Sequence, residues 1–510
     1  MNAAANDRLL AAEVNTARSS VVISLTTLAG TALGGLFAVS VALIVGAGPE
    51  TDGFFAAYSA YTVFIVFGTS MRVALVPQLG ATEDPVRFRA NAADRISRIL
   101  PIVALVCVLL AALAPLIGML LTLEAPSRTR SVATASIVLL GLAAFFQVWA
   151  AVTAAMLVGA RRFVATSLFS VLSLFVSVVL SIALIYAWGI IGASVGMAIG
   201  AAVFALAQVF YLKTFEFSAL PRLTSIRERE SWTVVGRMAS AAALPIVMQL
   251  YLTIALATVS SEAGAATAYT YAYLTLTVIA GATIGTIGMV TMPLAVDALH
   301  QHGVGAAIPF LRDAGSAAFF LFWPLALAYS LFGYPVVEAV FAGSFDASTL
   351  QLFWDGSRVF LIVGVAWAFG LPFTTFALAR HQYARVAAIS VVQLPVHLLA
   401  VQIASGSSPL TVVAVHTATG IFLVASLSFA LLGWNAVRAL GAMFAASWPC
   451  VAIGMVFVAL RLVVGDPETV VVSIGCIVGG GLLYMAIAFK ATPNLGGRMV
   501  KQLLGKGELA

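Results

Sequence analysis

The sequence predicts an all-α polytopic membrane protein with about 14 transmembrane helices, and three observations predict it. Of its 510 residues 62% are hydrophobic and only 9% charged, whereas a soluble domain keeps about a quarter of its residues charged to hold a wet surface. Apolar runs recur from end to end, each of the roughly 18 or more residues needed to cross a hydrocarbon core about 30 Å thick. The runs are continuously apolar, not alternating, so each must close its own backbone hydrogen bonds as a helix, because lipid offers no partner to an open strand.

Bounded by charge, Gly or Pro, the expected helices lie near 20–47, 54–79, 97–123, 131–158, 163–186, 189–213, 233–260 and 266–293, then 314–343, 350–379, 384–404, 408–434, 441–464 and 468–490. The first run, Ser20 to Gly46, is too long for a signal-peptide core and has no small-residue cleavage site, so it reads as the first helix. The loops between runs carry the topology. Cytoplasmic loops retain Lys and Arg, and alternate loops on one side hold 21 of the 26 basic residues, from Arg8 and Arg18 to Lys501 and Lys506. The other side holds Arg128, Arg130 and Arg461 among acids such as Glu50, Asp52, Glu262 and Asp466. Both termini are therefore expected in the cytoplasm. The formal net charge of +6 is spent on this asymmetry, which argues against a nucleic-acid partner.

Composition excludes other classes. Cys107, Cys450 and Cys476 stand singly inside apolar runs, so they make neither a disulfide framework nor a zinc site. No metal and no cofactor is expected. A membrane-embedded enzyme would need converging carboxylates or histidines, a nucleophile or a Gly-rich phosphate loop, and the short, basic loops supply none.

An internal repeat is visible. The stretches 51–81 and 268–298 both run from an aromatic cluster through a span to a proline exit, at Pro77 and Pro293, and Ala160-Arg161-Arg162-Phe163 is answered by Ala379-Arg380-His381-Gln382-Tyr383 at nearly the same offset. Six helices separate the copies. An even number keeps both halves the same way round in the membrane, as in transporters built from parallel repeats.

The segment Val45-Gly46-Ala47-Gly48-Pro49-Glu50-Thr51-Asp52-Gly53-Phe54-Phe55, followed by Val76-Pro77, resembles the opening of the lipid II flippase (MurJ/MviN) family of the multidrug, oligosaccharidyl-lipid and polysaccharide exporter superfamily. Leu157 to Phe163, the turn Gly189-Ile190-Ile191-Gly192-Ala193, the 271–294 span and the exit Phe376-Ala377-Leu378-Ala379-Arg380 extend the similarity. The resemblance implies a cytoplasmic segment at 1–19, an N-lobe at 20–213, a linker at 214–232, a C-lobe at 233–434, a groove for a lipid tail on the two helices of 435–490, and a basic tail at 491–510. It implies alternating-access transport of a lipid-linked oligosaccharide or peptidoglycan precursor across the bacterial cell membrane, without enzymatic activity. Its partners would be membrane lipids, the lipid-linked glycan and cell-wall synthesis proteins, around a monomer. A multidrug or other amphipath antiporter, or a membrane scaffold that no longer transports, are the alternatives.

The family's cavity arginines on the first, second and eighth helices are thought to hold the carrier's pyrophosphate. Here the first span has no Arg or Lys, and the eighth reads Tyr271-Ala272-Tyr273-Leu274 where the family carries an acid and an arginine. The clamp looks largely dismantled, with Arg72 on the second helix left either to meet a phosphate or to snorkel to headgroups.

The expected substrate-binding set is Asp52, Phe54, Phe55, Tyr58, Arg72, Gln249, Tyr271 and Tyr273. Asp52 at the start of the second helix serves equally as a helix cap. The tyrosines, with Tyr269, either stack on a sugar or belong to an interfacial aromatic belt. Asp355 and Arg358, three apart on the tenth helix, can pair as an exposed ion pair or outer gate. Gln393, His397 and His416 are ion-coupling candidates: the family is believed to hold sodium among the seventh, eleventh and twelfth helices, and imidazoles in place of a carboxylate favour a proton. Gly34, Gly35, Gly281 and Gly285 are expected where helices cross closely.

Overall fold

The computed structural model describes residues 26, 29–80, 85–123, 125–159, 162–213, 223–285, 287, 304–380, 382–467 and 469–491, with 69, 71–80, 85–92, 95, 159, 163, 213, 223, 285, 304–308, 310, 375, 378, 379, 435, 489 and 491 described by backbone alone. Every regular element among them is helical. The described residues fall into two compact units, divided between Ala266 and Thr267.

The first unit contains α1 (Ala29–Val45), α2 (Pro49–Gly80), α3 (Pro85–Ala112), α4 (Ala114–Leu121), α5 (Ser127–Gly159), α6 (Phe163–Trp188), α7 (Ile191–Lys213), α8 (Arg229–Ala241) and α9 (Ala243–Val259). The helix α10 (Ala265–Ala280) opens the second, which continues with α11 (Val304–Phe332), α12 (Tyr334–Phe341), α13 (Ala347–Ala379), α14 (Tyr383–Ala404), α15 (Pro409–Leu432), α16 (Trp434–Val464) and α17 (Val470–Ala491). Among the described residues nine helices are long and apolar enough to cross a bilayer, or 11 if each bent pair counts as one span. The described part of each of the fourteen expected spans falls on a helix or on a pair of helices, that of the first being chiefly Ala29–Val45.

Prolines set the breaks. Leu113, Ala242 and Gly333 each interrupt a helix, and Pro115, Pro245 and Pro335 follow two or three residues later. A proline ring clashes with the carbonyl four residues back and donates no N–H, which favours a break at these three places, whereas Pro101, Pro324, Pro372, Pro395 and Pro449 lie within continuous helices. The turn is 66° between α3 and α4 and 68° between α8 and α9.

The same positions disclose the repeat. The helices α4 and α12 have eight residues each, α5 and α13 have 33 each, and the second of each pair starts 220 residues after the first (334 − 114 and 347 − 127). The breaks at Leu113 and Gly333 share that offset, as do the starts of α6 and α14 at Phe163 and Tyr383. Pro293 of the sequence comparison lies outside the described residues, and Pro77 is described by backbone alone.

Packing is inside-out relative to a soluble bundle. The helix α6 exposes Leu168, Leu172, Phe175 and Val179 while it buries Ser173 and Ser181. The helix α14 likewise exposes Val392, Val396, Leu399 and Ile403 around buried His397. Water would not tolerate such continuous apolar faces; lipid does, and the polar groups turn inward to find partners. Ser173 and Ser181 donate to the carbonyls of Gly200 and Ala193 at 2.8 and 3.0 Å. Gly192, Gly196 and Gly200, spaced four apart on α7, meet Leu184, Ser181 and Ser177 of α6 so closely that a Cβ on any of them would collide. Small residues at this spacing let membrane helices approach to backbone contact. Gly34, Gly35 and Gly281 do not do this among the described residues, where nothing from another element lies within 4 Å of a Cβ built on them. Their expected close crossings are therefore corrected, since glycine permits an approach without causing one.

In the first unit α5 is the centre, packed on α2, α3, α4 and α7. The seventh expected span, α8 and α9, packs here as well, against α2. In the second unit α13 packs on α15 and α11, α14 on α15, and α11 on α16 and α17.

Candidate functional site

The segment Pro49 to Phe55 begins α2 and ties it to its neighbours. The Thr51 hydroxyl accepts the Gly48 N–H and donates to the Gly48 carbonyl, both at 2.9 Å, closing the first turn. Arg128 at the start of α5 reaches back to Glu50 with two donors at 2.7 and 3.0 Å. Gly53 lies against the Thr129 main-chain carbonyl, leaving no room for a Cβ. Asp52 is buried, and its Oδ2 accepts the Gly264 N–H at 2.7 Å. Gly264 has φ 83°, in the left-handed region that glycine adopts without strain. The carboxylate thereby secures the turn between α9 and α10.

Behind this knot the aromatic residues form one stack. Phe54 and Phe55 are fully buried, with Phe37 of α1 edge-on to Phe54 at 6.4 Å and Tyr58 parallel to it at 5.9 Å. Tyr61 continues the stack at 5.9 Å from Tyr58. Phe37, Tyr58 and Tyr61 reach open space, and Phe54 and Phe55 do not.

That space is a cavity of about 350 Å³ enclosed by five helices of the first unit. Phe37 comes from α1; Tyr58, Tyr61 and Ile65 from α2; Gln147, Ala151 and Ala154 from α5; Ser170, Ser173 and Ser177 from α6; and Met197, Ala201 and Phe204 from α7. Each set repeats at three- or four-residue steps, so each helix turns one stripe inward. Tyr61 of α2 and Gln147 of α5 line the same cavity. Aromatic faces, one amide and a row of hydroxyls make a wettable, uncharged lining suited to a neutral polar group. Sequence reasoning found Tyr58 but missed Gln147 and the serines. The available signal was serines at 170, 173 and 177, three and four residues apart on one face of a largely apolar helix.

Gln249 sits outside this lining; its Oε1 accepts the Thr62 hydroxyl at 3.0 Å, joining α9 to α2. The Arg72 side chain lies outside the described residues. Tyr271 is buried in a second aromatic cluster with Phe341, Phe345 and Phe353, at centroid distances of 5.6–6.1 Å. Tyr273 is buried against the His416 ring instead. The helix α10 thus turns its tyrosines into the second unit's interior.

Asp355 and Arg358 do approach, at 3.8 Å with both side chains substantially exposed. Gln351 donates to Asp355 at 2.7 Å, and the Arg358 guanidinium lies 5.7 Å from the Trp354 ring centroid. Gln393 donates to the Ser426 hydroxyl at 3.2 Å. His397 and His416 come together on α14 and α15, ring centroids 5.3 Å apart, both buried. His397 Nδ1 lies 2.7 Å from Thr419 Oγ1, and the Tyr269 hydroxyl 2.6 Å from His416 Nδ1.

A further feature lies on the last two helices. An open groove of about 480 Å³ runs between α16 and α17, lined by Val456, Ala459, Leu460 and Val463 on one side and Val472, Gly475, Cys476, Gly479, Gly480 and Leu483 on the other. Its walls are almost wholly apolar.

The sequence model of the family described as "Lipid II flippase MurJ" matches residues 41–466, more than four fifths of the chain. The chain belongs to the lipid II flippase MurJ family. The match takes in α2 to α16 and stops short of α17. Among solved structures, a lipid II flippase MurJ in an inward closed conformation is similar at 14% identity with a TM-score of 0.74, over 93% of this chain and 99% of that one. A transporter of the multidrug, oligosaccharidyl-lipid and polysaccharide exporter superfamily from Pyrococcus furiosus is similar at 18% identity and TM-score 0.59, over 84% and 96%. An outward-facing multidrug exporter of the same superfamily gives 18% identity and 0.58 over the same shares. At these identities the likeness is one of fold. No curated protein matches. Membership makes the chain a flippase-like transporter of multi-pass membrane architecture.

Proposed function

We propose that this chain moves a lipid-linked oligosaccharide of the peptidoglycan-precursor class across the bacterial cytoplasmic membrane by alternating access. The observation that carries the reading is the family match over residues 41–466. Two features support it. The uncharged, hydroxyl-lined cavity of the first unit can wet a glycan headgroup, and the hydrocarbon groove of α16 and α17 can keep its tail in a lipid-like phase. With no Arg or Lys in the first span and tyrosines on α10, we infer a carrier whose recognition rests on its glycan more than on its pyrophosphate.

The orientation follows the charge count, with both termini cytoplasmic. Contacts within the units support it: Arg128 with Glu50, and Arg461 with Asp466, join residues assigned to the outer face, while Arg98 with Glu228 and Glu230 joins residues assigned to the cytoplasmic face. The N-lobe is 20–213 and the C-lobe 233–434 in this reading, with the protein working as a monomer and without catalysis.

The test is reconstitution into liposomes with fluorescent lipid-linked glycans. Crossing faster than in protein-free vesicles is expected, and loss of that acceleration in Gly479→Leu, which fills the groove. A protein that moves no glycan lipid yet dissipates a gradient of a cationic drug is a multidrug antiporter instead.

A further inference from the structure

We propose that α8, with the 3-10 turn Leu223–Arg227 before it, lies in the membrane interface and binds the headgroup of an anionic phospholipid of the cytoplasmic leaflet. Its direction is one reason. The 17 residues of α9 rise roughly 26 Å, close to the thickness of a hydrocarbon core, so α9 crosses without help from α8. A helix turned 68° from a crossing helix runs nearly along the membrane plane. Its depth is the other. The Ser225 hydroxyl donates to the Arg98 carbonyl at 3.2 Å, and the Arg98 guanidinium meets Glu230 and Glu228 at 2.5 and 3.5 Å. In the orientation proposed above Arg98 stands at the cytoplasmic start of the third span, which sets α8 at headgroup level.

Charge decides what it meets there. Ser231, Met238 and Ala241 are buried, and α8 packs on α2 and α3. The outward side carries Arg229, Thr233 and Arg237 in one stripe of four-residue steps, with Trp232 beside it, 45% exposed. The indole N–H donates to the Ile226 carbonyl at 2.8 Å, which ties the turn that carries Arg227 to the helix. Both acids of the segment, Glu228 and Glu230, are engaged by Arg98, whereas Arg227, Arg229 and Arg237 are exposed and make no ion pair with any described residue. Three guanidinium groups at headgroup depth attract an anion from outside the chain, and a pair of phosphate oxygens fits a guanidinium fork. The cytoplasmic leaflet supplies that anion as lipid. Tryptophan favours the same layer, its ring at the level of the headgroups.

The test reads lipid association and not transport, in nanodiscs that present the same lipids to both faces, so its result stands apart from the flippase reading and from the orientation. The full-length protein is placed in phosphatidylcholine that contains either phosphatidylglycerol or phosphatidylcholine brominated high in its acyl chains. Quenching of Trp232 is taken as the difference from Trp232→Phe. The anionic lipid is expected to quench at a mole fraction at least about tenfold lower than the zwitterionic one. Arg229→Gln and Arg237→Gln, which should melt like the unsubstituted protein, are expected to weaken that preference by up to about fivefold each, the contribution of one arginine near an anionic surface. Raising the salt should shrink it in the unsubstituted protein as well. Equal quenching by the two lipids would make Trp232 a belt residue without a lipid site, and quenching by neither would take α8 out of the interface. Each of these results, or a preference that survives both substitutions and high salt, overturns the proposal.

Discussion

Replacing Asp52 by Ala separates a structural carboxylate from a substrate-binding one. Asp52 is 1% exposed, and it accepts the Gly264 N–H at 2.7 Å within a turn that glycine holds at φ 83°. A hydrogen bond to a charged acceptor is worth about 1.5–3 kcal/mol, and truncation also strands a buried amide donor. Taking ~2 kcal/mol, thermal unfolding in detergent at neutral pH should shift down by roughly 4–8 °C, on the scale of a unit of this size. Asp52→Asn keeps an acceptor oxygen at the same reach and should recover about half of the loss, because a neutral bond is worth about 1 kcal/mol. Lipid transport in liposomes, measured below the lowered Tm, should then stay close to that of the unsubstituted protein. An Asp52→Ala protein that melts as before but no longer transports would refute the reasoning and assign the carboxylate to the substrate.

A double-mutant cycle on Thr62→Val and Gln249→Leu should return a coupling of about 1 kcal/mol in the same melting assay, since one neutral hydrogen bond joins them. The same cycle on Asp355→Asn and Arg358→Gln should return no more than about 0.5 kcal/mol, the size of an exposed pair three residues apart on a helix. Asp346, outside the spans, has its carboxyl held below the ordinary range by the Thr349 hydroxyl, then the Thr349 N–H and Ser348. A carboxyl lowered on folding contributes stability above its unfolded value, about 3.9, and loses it as pH falls through the folded one. Asp346→Asn should therefore flatten stability against pH only in the acid range below about 4, as read by melting at a series of pH values. In the groove, a Cβ on Gly475 or Gly479 meets nothing within 4 Å, whereas one on Gly480 runs into Phe457. Gly479→Leu should melt normally and slow lipid transport, and Gly480→Leu should lower Tm by the roughly 1–3 kcal/mol cost of overpacking.

The helices and their order were legible from composition, because hydropathy in lipid is a one-dimensional constraint. A run either is or is not long enough to span, and its backbone must then be helical. The repeat was legible for a related reason: helix ends are marked locally, by prolines such as Pro115 and Pro335 and by charge. The candidate site was half legible. Tyr58 reaches the cavity as expected, yet its neighbours Phe54 and Phe55 serve as backing and Gln249 as a tie to α2. The residue types of a binding face and of a buried stack are the same, and only packing distinguishes them. The serines of α6 went unread because hydroxyls in a membrane helix bond to backbone as readily as to a ligand, as Ser181 does.

What the amino-acid order determined alone is that this chain is a bundle of membrane-crossing helices in two similar halves, because apolar length and loop charge act through neighbours in sequence. Which side chains meet was decided by the tertiary structure. His397 and His416 are 19 positions apart on different helices, and nothing local says that their rings will meet edge-on or that Tyr269 will hydrogen-bond to one of them. The same holds for Asp52, whose partner Gly264 lies 212 residues away. Such contacts depend on how bent and tilted helices pack against each other, and that is settled by steric fit among whole helix faces.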